Sequence, residues 1–354
     1  MVLSITIFNL FNAPSNKSYS FERIYSDMPI LNFEKKYNKM ASGDFVMSVK
    51  SDKYIAEINT KPKNKNENSC TIYFNDLNFN IESRVNLDMP IGSNVLMSNP
   101  IKIIYTKSFK LYEHSLAINA SKEIKLKKFK VISLEPLDSL GKKFLCFGEL
   151  EKNKKFNLGF FVININSKQI IESKIIELND FSNVPISILK YSGRFTSSYD
   201  KKLKSYYWDK YSKVYFFNNL GDYVKVLSTN ENTPLPKILT NNQGVNFYSQ
   251  GKTWYTNKGV IIKNKNVFVF SCASEEKNYL IIDKYSFSNL KYQKSYKLKY
   301  ENLNSENIKN IFIDIERIVI SFDFYYASFI FSRHIWWILL LTFNFLLWKI
   351  LNLL

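Results

Sequence analysis

Histidine, cysteine, arginine, glycine and proline are all scarce in this chain, and each scarcity removes a class of function. Only two histidines, His114 and His334, stand among 354 residues, too few for a histidine-based metal centre. The three cysteines, Cys70, Cys146 and Cys272, lie in different regions. An odd, widely spaced set offers no disulfide framework and no CxxC metal or redox pair. Each sits beside strand-forming residues and reads as a small buried hydrophobe. No cofactor is expected.

Arginine is limited to Arg23, Arg84, Arg194, Arg317 and Arg333, so the net charge of +18 is carried almost wholly by lysine. Phosphate forks and base reading favour the guanidinium, and the lysines are scattered. Nucleic acid is therefore not an expected partner. The densest lysine run, Lys122, Lys125, Lys127, Lys128 and Lys130, alternates with Ile124, Leu126, Phe129 and Val131 and reads as a strand with one solvated face. With only 10 glycines and 9 prolines, turns fall to asparagine, which tolerates the left-handed backbone. Asn75-Asp76, Asn218-Asn219 and Asn241-Asn242 are such places.

What is abundant is apolar and aromatic: 45% and 16% of the residues, ample for a packed core. Helical periodicity is nearly absent before residue 335. Instead a hairpin recurs, an apolar strand, a short polar turn and a second alternating strand, at 70–87, 159–178, 213–227 and 279–298, with a weaker copy at 103–116. Two hairpins in roughly 45 to 55 residues is the cadence of propeller blades. A blade cannot bury both of its faces alone, and stacking blades around an axis does so. The expectation is an all-β body over 15–332, a β-propeller of about five to seven blades. The alternative is a β-sandwich or an irregular β fold.

The chain ends on an apolar run, 335–354. As a helix it would be about 30 Å long, the thickness of a bilayer's hydrocarbon core. Trp336 and Trp337 at its start and Trp348 near its end suit the two interfaces, and Lys349 can snorkel outward. A transmembrane anchor is expected there, against a buried or surface-lying helix as alternative. Residues 1–14 carry an apolar run without a basic lead and read equally as a degraded signal or a first strand. The side of the membrane on which the body lies stays open. A basic body beside anionic headgroups is attracted by about 1 kcal/mol per nearby lysine.

The run 191–219, YSGRFTSSYDKKLKSYYWDKYSKVYFFNN, and the run 258–272, KGVIIKNKNVFVFSC, resemble uncharacterised, membrane-associated bacterial proteins of the six-bladed propeller type. The resemblance covers about residues 180–330 and lies in strand pattern. It implies a propeller and brings no catalytic residues with it. Such proteins are pictured with an N-terminal membrane segment, and the C-terminal run here departs from that.

No constellation rises to a catalytic signature. His114 has Glu113 and Ser115 beside it, but neighbours on a strand point to opposite faces, so a turn or surface role is expected. Gly251-Lys252-Thr253 lacks the strand–loop–helix context of a phosphate loop, since Trp254-Tyr255 follows. Asp314 and Glu316 share a strand face, the pattern of a glycan-cleaving carboxylate pair or of ordinary pairing with Lys309 and Arg317. Aromatics gather at Tyr207 and Trp208, at Tyr248 and at Trp254, a platform for sugars or a partner peptide or blade packing. The leading expectation is a non-enzymatic binding or scaffolding module at the bilayer, with another membrane or envelope protein as partner. A glycan-acting enzyme of the cell envelope is the alternative.

Overall fold

The structure is a computed structural model. It describes the backbone of residues 31–38, 45–50, 55–62, 68–75, 81–88 and 95–99, most of 102–172 and 189–299, and the strands within 308–331, with side chains described from residue 104 onward. The expected segments 1–14 and 335–354 lie outside the described residues, as do Trp254, Trp336, Trp337, Trp348 and Lys349. Among the described residues no helix is long and apolar enough to cross a membrane.

The first strand, β1 (Leu31–Asn38), stands apart from those that follow it in the chain. Next comes an antiparallel meander, β2 (Phe45–Lys50), β3 (Ile55–Pro62), β4 (Asn68–Asn75) and β5 (Ile81–Asp88). The second is β6 (Val95–Asn99), β7 (Lys102–Lys107), β8 (Lys110–Ser115) and β9 (Ala120–Ile124). The third is β10 (Phe129–Pro136), β11 (Lys143–Lys152), β12 (Lys155–Asn164) and β13 (Gln169–Glu172). The fourth is β14 (Gly193–Ser197), β15 (Leu203–Trp208), β16 (Lys213–Asn218) and β17 (Tyr223–Ser228). A small hairpin, β18 (Ile238–Thr240) with β19 (Asn246–Tyr248), leads to the fifth: β20 (Asn257–Lys263), β21 (Asn266–Ser271), β22 (Tyr279–Ser286) and β23 (Tyr292–Lys299). The sixth contains β24 (Asn310–Asp314), β25 (Arg317–Ser321) and β26 (Tyr325–Phe331), and β1 returns to pair with β26 as its fourth strand.

These sheets are the blades of a propeller. The leading strands β6, β10, β14, β20 and β24 touch in succession, and β24 touches β2. The ring is closed by hydrogen bonds as well, because β1 pairs antiparallel with β26 from Leu31↔Phe331 to Asn38↔Tyr325. Two sheets packed face to face, the sandwich alternative, would not give this order.

The period of two explains why single strands are apolar on both sides. On β11, Phe144 and Cys146 pack toward the second blade with Ile104 and Leu111, while Leu145 and Phe147 pack toward the fourth. On β16, Tyr215 and Phe217 join the third blade's Phe160, while Val214 and Phe216 join Val260 and Val269 of the fifth. Ile261, Phe270 and Ile282 close on Ile311, Ile318 and Ile320 of the sixth. Each such side chain contributes about 1.5–3 kcal/mol on burial, so the core is a set of slabs between blades.

Among the described residues, the slab between the third and fourth blades is the one richest in ring contacts. Phe160 lies 4.8 Å from Phe217, and Phe147 lies 5.0 Å from Tyr206 and 5.3 Å, edge-on, from Trp208. Burial there pushes the Tyr215 phenol up to about 12. Polar struts join blades too. Asn257 Nδ2 on β20 donates to the carbonyls of Trp208 (2.9 Å) and Tyr211 (3.1 Å).

Another strut links Glu135 on β10 with Lys204 on β15 at 3.1 Å, their side chains only 15% and 8% exposed. Removing one partner of such a pair strands a buried charge at about 3–5 kcal/mol, whereas replacing both by apolar groups is often neutral. Lys204→Met is therefore expected to lower stability by about 3 kcal/mol, and Glu135→Leu in the same chain to recover most of it, as read by urea denaturation.

Candidate ligand-binding pocket

Strand direction gives the ring two unlike faces. In a four-stranded meander the first-to-second and third-to-fourth turns lie at one end, here called the lower face. The second-to-third turns and the links between blades lie at the other, the upper face. The short link 125–128 from β9 to β10 keeps successive leading strands pointing the same way.

A pocket of about 440 Å³ opens on the upper face between the second and third blades. Its floor is apolar, from Leu111, Ile124, Phe129 and Val131, all buried. Phe109, in the β7–β8 turn, and Phe156, at the start of β12, also line it and are exposed. Gly148 on β11 makes room for the floor, since a Cβ there would stand 2.7 Å from Phe129 Cζ and 2.6 Å from the Lys130 carbonyl oxygen.

Three ion pairs ring the pocket: Lys110 with Glu123 at 3.4 Å, Lys128 with Glu151 at 3.2 Å, and Lys130 with Glu149 at 3.4 Å. The lysine side chains are 58%, 53% and 46% exposed, and their acid partners 27%, 32% and 5%. The cations thus stand outside and the acids beneath them. Lys130 Nζ also lies 5.4 Å from the Phe156 ring centroid. The backbone here is locked, with Val131 N donating to Phe109 O across the two blades and Glu151 N donating to Lys128 O at the entry to β10, each at 2.9 Å.

Sequence reading missed this pocket, and misread part of its frame. The lysine run 122–130 is not one strand. It is the end of β9, the link 125–128 with Lys128 at φ 56°, and the start of β10. Ile124 and Phe129 are buried in the same slab, which reproduces a strand-like alternation across a turn.

Of the expected aromatic platform, Tyr207 and Trp208 are 3% and 1% exposed and belong to the slabs between blades. They are packing residues, and no sugar or peptide can reach them. Tyr248 is half-buried on the β18–β19 hairpin, where its hydroxyl donates to Leu189 O at 2.7 Å and Lys210 Nζ stands 4.6 Å over its ring. The outward face of that hairpin shows Leu239 and Phe247, paired across the strands. Trp254, the Gly251–Thr253 run and the side chains of Asp314 and Glu316 lie outside the described residues.

Cys146 is wholly buried, as expected, and burial pushes its thiol well up. Among the described residues no group of three or more His, Cys, Asp or Glu could hold a metal. One triplet has the residue types of a serine–lysine dyad: Ser197 Oγ accepts from Lys204 Nζ at 2.8 Å and donates to Glu135. The lysine here is a donor and the hydroxyl proton points at the acid, the reverse of what activation of a nucleophile needs.

A scan of protein-family models finds no match, and a search of curated proteins finds none either. Solved structures similar in fold include a member of the duf4221 family from Bacteroides vulgatus, at 10% identity and TM-score 0.49, covering 84% of this chain and 97% of that one. The β-propeller domain of Myceliophteria thermophila Cps50 (Swd1) aligns at 10% identity and TM-score 0.45 over 83% of this chain and 99% of that one. The β-propeller domain of the Trilobed protease from Pyrococcus furiosus aligns at 13% identity and TM-score 0.38 over 82% and 97%. The strand order and ring closure described above define the fold.

His114 departs from its expected turn or surface place. It is buried on β8, its Nδ1 3.0 Å from Ser121 Oγ, and burial lowers its pKa below the ordinary 6.5. The folded chain resists a proton that the unfolded chain accepts, so stability is full above 6.5 and falls as pH drops below it. Thermal melts from pH 7 to 5 are expected to show a larger fall for the native chain than for His114→Gln.

Proposed function

We propose that the chain is a non-enzymatic binding or scaffolding module held at a bilayer surface by residues 335–354, with its lower face toward lipid and its upper face away. The observation that carries this reading is the common exit of both chain ends. Phe331, the last residue of β26, pairs with Leu31, the first of β1. Both lie at the edge where β24 turns into β25, Asp314 opposite Arg317, which is the lower face. A segment following Phe331 therefore starts from that face.

The lower face is suited to lie near headgroups. Ile118 and Leu220, in third-to-fourth strand turns, are 73% and 68% exposed. Lys142, Lys168, Lys202, Lys265 and Lys291 stand exposed in turns of the same face. Apolar tips among lysines favour an anionic interface, each lysine adding about 1 kcal/mol. The pocket and the β18–β19 hairpin stay on the opposite face, open to a partner.

Two measurements test this. The full chain is expected to float with anionic vesicles, and a chain lacking 335–354 to bind them weakly and release at high salt. Because Cys146 is buried, orientation needs introduced thiols, in a background with Cys70 and Cys272 changed to serine. A fluorophore on Leu220→Cys is expected to be quenched by headgroup-level spin-labelled lipid, and one on Val245→Cys, at the hairpin turn, to be spared. Flotation that ignores the tail overturns the anchor, and the reverse quenching pattern overturns the orientation.

A further inference from the structure

Phe109 is the residue of the upper face that folding explains least. It occupies the turn between β7 and β8 at φ 62°, the left-handed region where glycine or asparagine is the favoured residue and a bulky side chain is strained. Phe109 is 39% exposed, so burial offsets that strain only in part. The bond that holds the turn against the third blade, Val131 N to Phe109 O at 2.9 Å, is main chain to main chain and needs no phenyl group. Among the described residues five other non-glycine positions adopt positive φ, namely Lys128, Lys168, Asn264, Lys265 and Leu290. Phe109 is the one aromatic. Strain of this kind gathers where a side chain is kept for what it touches.

The surroundings say what that is. The neighbouring blade presents a second exposed ring, Phe156, 48% exposed, and the floor beneath is apolar. Around them the lysine heads stand outside their glutamate partners, and Lys125 adds a further cation with no ion-pair partner among the described residues. The layering runs from a rim of exposed lysine heads, four against three glutamates, through aromatic walls, to a greasy floor. Resting on the reading of the chain as a binding module, we propose that this pocket recognises an acidic peptide segment of a partner protein. One aromatic or aliphatic side chain of the segment seats against Phe109 and Phe156, and its flanking carboxylates meet the rim lysines.

The features separate this occupant from others. A small anion has no use for two phenyl rings and an apolar floor. A lipid tail is poorly served by a cavity of about 440 Å³ on the face away from the one where the chain ends emerge. The net charge of +18 draws an acidic segment toward the body, and the salt dependence of that attraction is a readout in itself.

The test selects a randomised twelve-residue phage-displayed peptide library on the full chain in neutral detergent, with the Phe109→Gly chain as the comparison. Selected peptides are expected to be net acidic with at least one Trp, Phe or Leu. They should bind the Phe109→Gly and Lys125→Glu chains at least tenfold more weakly by fluorescence anisotropy, and weaken as salt rises. Phe109→Gly should melt no lower than the native chain, since glycine relieves the turn; that separates loss of a site from loss of fold. The proposal is overturned if no peptide is enriched, if enriched peptides lack acidic bias, if Phe109→Gly binds them unchanged, or if Phe109→Gly melts lower. Vesicle flotation of Phe109→Gly is expected to equal that of the native chain. Should Phe109→Gly lose vesicles and keep peptides, the pocket is a lipid site and the assigned orientation fails; should flotation stand while peptides fail, only the pocket's assignment falls.

Discussion

A radial β-sheet with two apolar faces cannot stand alone in water, and everything else in this molecule follows from that constraint. Each blade buries its faces only against two neighbours, so the core is divided into slabs rather than gathered at one centre. A ring of slabs has no free face, but it needs a seam. Here the seam is β1 against β26, seven paired positions with one bulge between Phe33 and Lys35. That places the two ends of the described chain side by side at one edge. The hydrophobic demand of the blades thereby decides from which face any flanking segment must start.

The propeller was legible in the sequence because slabs impose two-sided apolar strands, and those repeat. The hairpins read at 70–87, 159–178, 213–227 and 279–298 are the third and fourth strands of the first, third, fourth and fifth blades. The weaker one at 103–116 is out of phase, being the second and third strands of its blade. The count of blades was not legible, since the leading strands begin at residues 45, 95, 129, 193, 257 and 310. Links such as the one holding β18 and β19 stretch the repeat, while the link 125–128 compresses it. Of the asparagine turns, those at Asn218 and Asn241 were read correctly in place but not in mechanism, and the one after Asn75 lies outside the described residues. Asn218 Oδ1 accepts from Leu220 N and Asp222 N, and Asn241 Oδ1 from Gln243 N and Val245 N. The left-handed positions in those turns fall on Gly221 and Gly244.

The pocket was not legible, and the reason is general to a chain so rich in rings. Aromatic clusters in sequence, such as Tyr206, Tyr207 and Trp208, mark the slabs, because consecutive strand residues serve two slabs at once. A surface ring is more visible as an isolated aromatic in a position that a turn would give to glycine. Phe109 met that description within the weak hairpin. Phe156, the other exposed ring, has no sequence signal beyond an aromatic following two lysines.

Scarcity of glycine links the tight turns of the lower face to the pocket rim of the upper one. With so few glycines, left-handed turns are taken by Lys168, Asn264, Lys265 and Leu290 as well as by Phe109 and Lys128, each at roughly 1–3 kcal/mol of strain for a bulky residue. The first four close tight hairpins on the lower face, where the reward is simply a short turn between paired strands. The last two sit together on the upper face, and main-chain bonds from the third blade hold both. The slabs are large enough to carry that strain, which is why a propeller can keep a costly ring at its rim. Stability generated between the blades is what allows a strained aromatic residue to persist at an exposed turn.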